Sequence, residues 1–183
     1  WGVSRGVFSN EAGLGSAAIT AASADTEDSV GQGLIAMTGV FFDTTVICTV
    51  TGLAVCCSGV LGLPDGTGAP LTGAALTVRA FETVLGSWGG WILRVSLGLF
   101  AFTSVLGCAF QAETAAAYLL GGGAVRPCRV LYALAVWLGA VIPLETAFAL
   151  ADLSNALTAL PNLVCLLMLS GEVAAACRTY PRR

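Results

Sequence analysis

The residues best suited to chemistry lie in the opening segment, where polar side chains and glycines interrupt apolar sequence. Ser9, Asn10 and Glu11 are followed by Gly13 and Gly15, and apolar sequence resumes directly after them. We expect a helix to break here and to restart near position 12. Such a break leaves unpaired N–H groups at the start of its second half, and these groups attract anions. The segment predicts a carboxylate-binding site; the alternative is that its glycines only allow close helix packing.

Two further groups of polar side chains lie inside apolar runs. Asp43 and Thr44 interrupt the first long run, and Thr103 and Ser104 stand side by side in the second. A carboxylate at the bilayer centre costs about 3 kcal/mol, so Asp43 should face the protein interior. It either lines an ion pathway with Thr44 or hydrogen-bonds a neighbouring helix. The paired hydroxyls suit a hard cation, which prefers oxygen ligands, although hydroxyls in helices also bond back to the preceding turn.

The composition places these groups in a membrane protein. Hydrophobic residues make up 56% of the chain and charged residues 10%, and the mean hydropathy is +0.85. Typical soluble chains carry roughly 25% charged residues. The chain has no histidine and its eight basic residues are all arginine, which excludes histidine chemistry within it and argues against nucleic-acid binding. We predict an all-α, polytopic membrane helical bundle.

The elements that must position the polar groups are membrane-spanning helices. A span needs about 20 mostly apolar residues, and we predict one transmembrane domain over 1–183 with four such stretches: 33–59, 88–110, 130–144 and 146–170. The broken segment, 1–24, precedes them, and a short amphipathic piece precedes the second. Pro143 and Pro161 predict a break or kink in the last two stretches, because proline lacks a backbone donor.

The distribution of arginines predicts the orientation. Arginines in short segments that flank spans stay on the cytoplasmic side. The long loop on the other side carries only Arg79. The connector after the second stretch and the C-terminal tail carry five arginines: Arg126, Arg129, Arg178, Arg182 and Arg183. We therefore expect a multi-pass protein of the cytoplasmic membrane with a cytoplasmic C-terminal tail.

The opening sixteen residues, WGVSRGVFSNEAGLGS, resemble the signature of the sodium:alanine symporters. The resemblance continues at 32–34, 39–44, 86–90, 100–107, 150–152 and 160–163. It implies a leucine-transporter-like bundle built on two inverted five-helix repeats. This chain would be its C-terminal part, from the middle of the sixth core helix through the tenth, and its missing N-terminal half would be a partner.

The resemblance also implies a function. Sodium would drive uptake of alanine, or of a glycine-like small neutral amino acid, across the cytoplasmic membrane by alternating access. The substrate would meet the amides of the break, and Phe8 would border its side chain; the implied binding residues are Phe8, Ser9, Asn10, Gly13 and Gly15. Thr103 and Ser104, on the eighth core helix, would complete a sodium site with carbonyls of the missing first helix.

Glu113 is implied as an inner gate, because an acid near this position pairs with a basic residue in related folds. The alternative is that Glu113 is only a solvated helix end. The chain departs from the family pattern just before it, at 109–112, and again at 21–23 where a histidine is usual. These departures bear on the exact substrate more than on the fold.

Other functional classes have less support. The sequence offers no Ser–Lys or Asp–Asp pairing at a workable spacing, so we do not expect an enzyme, and sodium as coupling ion is the only expected cofactor or metal. The chain opens on Trp1 rather than Met, which we interpret as a piece of a longer protein. The alternative function is therefore a truncated or remnant membrane protein that inserts into the lipid bilayer but transports nothing by itself.

Overall fold

The structure is a computed structural model that describes residues 2–11 and 13–180. Within these ranges the chain forms helices and no strand, and the predicted all-α class is confirmed. Seven α-helices follow one another: α1 Gly2–Asn10, α2 Ser16–Ala21, α3 Ser29–Phe41, α4 Cys48–Cys57, α5 Gly73–Leu120, α6 Val125–Val141 and α7 Leu144–Thr179. A π-helical turn, Phe42–Ile47, joins α3 to α4, and a 3-10 turn, Gly122–Ala124, precedes α6.

Among the described residues, four helical segments are long and apolar enough to cross a membrane. They run over Ser29–Cys57, Gly73–Leu120, Gly122–Val141 and Leu144–Thr179. The second and fourth extend well beyond the expected 88–110 and 146–170. Most of their large apolar side chains are exposed, and the buried apolar core of the described residues consists of Val60, Val78 and Ala80. Exposed apolar faces of this extent are typical of a surface that meets lipid.

The two prolines of the last spans behave differently. Pro143 stands immediately before α7, and Ile142 in front of it has an extended backbone with ψ of 152°. Only these two residues separate α6 from α7. Pro161 lies inside α7, which continues through it, so of the expected break or kink the helix shows no break. A proline removes one backbone donor, and membrane helices tolerate this loss because neighbouring groups satisfy the freed carbonyl.

The chain divides into two compact units, 39–104 and 1–38 with 105–183. In the first unit, α5 reverses direction at Gly86, whose φ of 67° and ψ of −164° are non-helical. Arg94 donates to Glu82 at 2.7 Å, although twelve residues of straight helix would separate the two by about 18 Å. Gly89 and Gly90 are buried, and a Cβ atom on Gly89 would lie 2.8 Å from the carbonyl oxygen of Phe81. The arm before Gly86 therefore packs against the helix that follows it.

Gly86→Ala should destabilise this arm. The φ and ψ of Gly86 fall in a region that is open essentially to glycine, so the substitution should cost about 1–3 kcal/mol. Gly98→Ala is the matched control, because Gly98 has open space around its Cβ position and no positive φ. Thermal unfolding of the full-length protein in detergent should show a lower Tm for Gly86→Ala alone. Equal Tm values for the two variants would contradict this account.

Candidate functional site

The expected break in the opening helix is present. The α1 helix ends at Asn10 and α2 begins at Ser16. Between them Glu11, Gly13 and Gly15 have φ values of 52°, 77° and 86°, and a right-handed helix cannot continue through such backbone. The helix consequently restarts four residues later than expected. Position 12, where we expected the restart, lies outside the described residues.

The Glu11 side chain joins the two sides of the break to α5. Its Oε2 atom accepts a hydrogen bond from the Ser16 hydroxyl at 2.5 Å and another from Nε2 of Gln111 at 3.1 Å. The same Nε2 donates to the Thr20 hydroxyl at 3.1 Å. Glu11 directly follows α1, Ser16 and Thr20 belong to α2, and Gln111 belongs to α5. One carboxylate and one amide thus hold three helices together at this point.

A second amide, from α7, holds the middle of the break. Nδ2 of Asn162 donates to the Gly13 carbonyl at 3.0 Å. Gly15 lies against the same side chain, because a Cβ atom built on it would be 2.8 Å from Oδ1 of Asn162. Asn162 therefore satisfies one carbonyl that the break removes from helical pairing, and its close approach requires glycine at position 15.

The α1 helix is also tied to α7 by charge. Arg5 forms a bidentate ion pair with Asp152, with both N···O distances at 3.1 Å. The guanidinium carbon lies 4.6 Å from the centroid of the Phe148 ring, and Phe8 meets that ring edge-on with 6.2 Å between centroids. Two consecutive turns of α1 consequently contact the first third of α7.

An open cavity of about 380 Å³ adjoins the break. Its polar lining combines a carboxylate, amides and hydroxyls: Ser9, Asn10, Glu11, Thr20, Gln32 and Gln111. Of the five expected substrate-binding residues, the structure places Ser9 and Asn10 on this cavity. Phe8 instead contacts Phe148, and Gly13 and Gly15 contact Asn162. The arrangement can both donate hydrogen bonds to a small polar molecule and accept hydrogen bonds from it.

The other expected ion residues belong to the unit 39–104. Asp43 is half-buried and Thr44 exposed, and both lie in the π-helical turn Phe42–Ile47. The π-turns of helices are frequent at functional sites. In α5 the Thr103 hydroxyl donates to the Phe100 carbonyl at 3.0 Å, a local bond to the preceding turn of the helix. The adjacent Ser104 is exposed.

Glu113 pairs with a basic residue. Its two carboxylate oxygens accept hydrogen bonds from Nε and Nη2 of Arg129, each at 2.7 Å. The partners stand on α5 and α6, on either side of the Gly122–Ala124 turn. The pair therefore fastens two helices that follow each other in the chain.

Tyr180, which follows α7, contacts the connector that precedes α3. Its hydroxyl donates to Oδ2 of Asp28 at 3.1 Å, and the carboxylate raises the pKa of Tyr180 above its usual value. Asp28 also caps α3, because its Oδ1 accepts from the Gly31 amide at 2.8 Å. The connector before α3 is thus joined to the end of α7.

The candidate site depends on two contacts that pattern reasoning did not predict. Gln111, in α5, holds Glu11, and Asn162, in α7, holds Gly13. The available signal was a lone amide side chain within an apolar run, since such a group needs a partner in lipid. The sequence could not indicate which partner each amide would reach.

Comparison with known proteins identifies the family. A profile described as the sodium:alanine symporter family matches residues 1–183. The chain belongs to this family. It is 43% identical over 180 residues to "Sodium/alanine symporter AgcS" of Methanococcus maripaludis, covering 98% of this chain and 39% of that protein. It is 36% identical over 183 residues to "Probable sodium/glutamine symporter GlnT" of Bacillus subtilis, covering 100% of this chain and 37% of the relative.

These relatives set the scope of the comparison. The chain matches the C-terminal part of proteins about 2.5 times longer. An uncharacterised transporter of Haemophilus influenzae shows the same proportion, at 43% identity over the whole chain and 39% of its own length. No solved structure matches the chain. The family is one of symporters and not of enzymes, which agrees with the expectation that this chain is not an enzyme. Sodium fits as the coupling ion of this family.

Asn162→Ala should loosen the break. Removal of one hydrogen bond to a backbone carbonyl costs about 0.5–1.5 kcal/mol, so the Tm of the full-length protein in detergent should fall. Asn155→Ala is the matched control, because Asn155 is the same residue type on the same helix and its carbonyl, not its side chain, accepts from Thr158. Equal stability of the two variants would show that Asn162 does not support the break.

Proposed function

We propose that this chain, joined to an N-terminal portion like that of its relatives, carries out sodium-coupled symport of alanine or a similar small neutral amino acid. The observation that carries the proposal is the helix break beside a polar cavity within an otherwise apolar bundle. Transporters hold substrate carboxylates and coupling ions at such breaks near the bilayer midplane. Membership of the sodium:alanine symporter family supports the same function.

The amino acid would bind at the break between α1 and α2. Ser9 and Asn10 line the cavity and supply a hydroxyl and an amide. Gly13 and Gly15 shape the backbone, and their positive φ values turn it away from helical pairing. Phe8, held by Phe148 at the end of α1, would border the substrate side chain. The polar lining of the cavity suits a zwitterion.

Sodium would bind through the hydroxyls of Thr103 and Ser104, together with carbonyls supplied by the N-terminal portion. The hydroxyls are neutral oxygen ligands of the kind that a hard cation prefers. The Thr103 hydroxyl can donate to Phe100 and still present its lone pairs, because a hydroxyl has one donor and two acceptor sites. Asp43 and Thr44, at the π-helical turn, would line the ion pathway.

The cytoplasmic side would carry the inner gate and the C-terminal tail. Glu113 and Arg129 form a bidentate pair, which is the strong geometry for a carboxylate and a guanidinium. Since the pair joins consecutive helices, it would move as one body and present its charges to a partner from the N-terminal portion. The arginine distribution supports a cytoplasmic position for this end.

The names of the relatives bear on the substrate. One relative is named for alanine and another for glutamine, so relatives of the chain include carriers of different neutral amino acids. We favour alanine because the relative named for it is more similar to this chain. The membrane potential contributes about 2.3 kcal/mol per charge per 100 mV, so one sodium ion is enough to concentrate a small amino acid.

Two variants of the full-length transporter separate the substrate site from the sodium site. Asn10→Ala should raise the KM for alanine several-fold at saturating sodium, because it removes an amide from the cavity. Thr103→Ala combined with Ser104→Ala should raise the sodium concentration for half-maximal uptake about tenfold or more, with a smaller effect on the alanine KM. Radiolabelled alanine uptake into proteoliposomes, measured against sodium concentration, tests both.

Asn155→Ala serves as the control for substitution of an asparagine elsewhere in the apolar helices. Unchanged sodium dependence in the double variant would remove the assignment of Thr103 and Ser104. If the wild-type full-length protein shows no sodium-dependent uptake of any small neutral amino acid, the transport proposal is overturned.

A further inference from the structure

The carboxylates of the bundle differ in the charge of their partners. Glu113 faces Arg129, Asp152 faces Arg5, and Glu82 faces both Arg79 and Arg94. Within 2–11 and 13–180, the ion pairs do not include Glu11, whose hydrogen bonds come from a hydroxyl and an amide. An ionised group among apolar helices is costly unless an opposite charge balances it. Glu11 therefore has room in its charge balance for a cation.

The groups around Glu11 are those that a sodium ion uses as ligands. The Ser16 hydroxyl lies 2.5 Å from Oε2 of Glu11, and the amide of Gln111 lies 3.1 Å from both Oε2 and the Thr20 hydroxyl. An amide carries an oxygen and a nitrogen on one rotatable end, and a half-turn would replace the Gln111 nitrogen by its oxygen. One carboxylate, two hydroxyls and one amide oxygen would then be the ligands offered to the ion.

The cluster is accessible. Glu11, Thr20 and Gln111 all line the open cavity of about 380 Å³ beside the break. Glu11, Ser16 and Gln111 are each half-buried, so the groups are partly shielded and yet reachable from the cavity. An ion could enter without opening the helices, and the partial burial would strengthen its attraction to the carboxylate.

We propose that Glu11, Ser16, Thr20 and Gln111 form a second sodium site, separate in sequence from the hydroxyl pair of Thr103 and Ser104. This site deepens the proposed function. It rests on that function only for the claim that the bound ion is a coupling cation. The ion would neutralise Glu11 and replace the Gln111 hydrogen bond to it. Because Asn10 precedes Glu11 directly, the ion would fix the same stretch of backbone that holds the amino acid.

Binding of radioactive sodium to the purified full-length transporter, without amino acid, tests the site directly. Glu11→Gln keeps the size of the side chain and removes its charge, so it should weaken one class of sodium sites by at least about tenfold, the scale of one lost charged interaction. Glu82→Gln is the matched control, because it neutralises a carboxylate that already pairs with Arg79 and Arg94, and it should leave sodium affinity unchanged.

Thr20→Val provides a second variant that retains the carboxylate, and it should weaken sodium binding several-fold. The effect of Glu11→Gln should persist in the Thr103→Ala, Ser104→Ala background, since the two sites are distinct. Wild-type sodium affinity in both Glu11→Gln and Thr20→Val would overturn the proposal, as would a change confined to the alanine KM at saturating sodium.

The binding measurement separates this proposal from the proposed function. If Glu11→Gln weakens sodium binding but the wild type shows no uptake, the sodium site is supported and the transport proposal fails. If the wild type takes up alanine with sodium but its sodium binding is unchanged in Glu11→Gln and Thr20→Val, the transport proposal is supported and the sodium site fails.

Discussion

The structure depends on one constraint: a helix that breaks among apolar segments must find partners for the backbone groups that it releases. Here a side-chain amide from another helix is the partner of one released carbonyl, and a second amide holds a side chain at the break. Asn162 reaches the Gly13 carbonyl from α7, and Gln111 reaches the Glu11 carboxylate from α5. Because each amide stands on a different helix, satisfying the break also fastens α1 and α2 to the rest of their unit. The binding region and the helix packing are thus stabilised by the same bonds.

Ion pairs also join helices of this protein. Arginines stand opposite Glu113 and Asp152, on neighbouring helices, so these pairs fasten helices at little electrostatic cost to the bundle. Glu11 is instead surrounded by neutral donors beside a cavity. A carboxylate that is already paired with arginine has little affinity left for another cation, whereas one held by a hydroxyl and an amide retains it. Glu11 is therefore suited to ligand binding by its neutral partners together with its position on the cavity.

The adjacency of Asn10 and Glu11 offers a physical route to coupling. An amino acid beside Asn10 and a cation beside Glu11 would bind to one short stretch of non-helical backbone. Each ligand would then reduce the freedom of backbone that the other must also order, which makes their binding mutually favourable without a long-range pathway. Symport requires this kind of mutual dependence.

The sequence determined the helical class, the four long apolar segments and the break after Asn10, because composition and local backbone preference act over a few residues. The bond from Thr103 to Phe100, within one turn, is equally local. Only the tertiary structure decided that Asn162 meets Gly13, 149 residues away, and that Gln111 meets Glu11, 100 residues away. It likewise decided that α7 runs through Pro161. Apolar helices present similar faces in every direction, so which polar side chains meet is set by how the helices pack against one another.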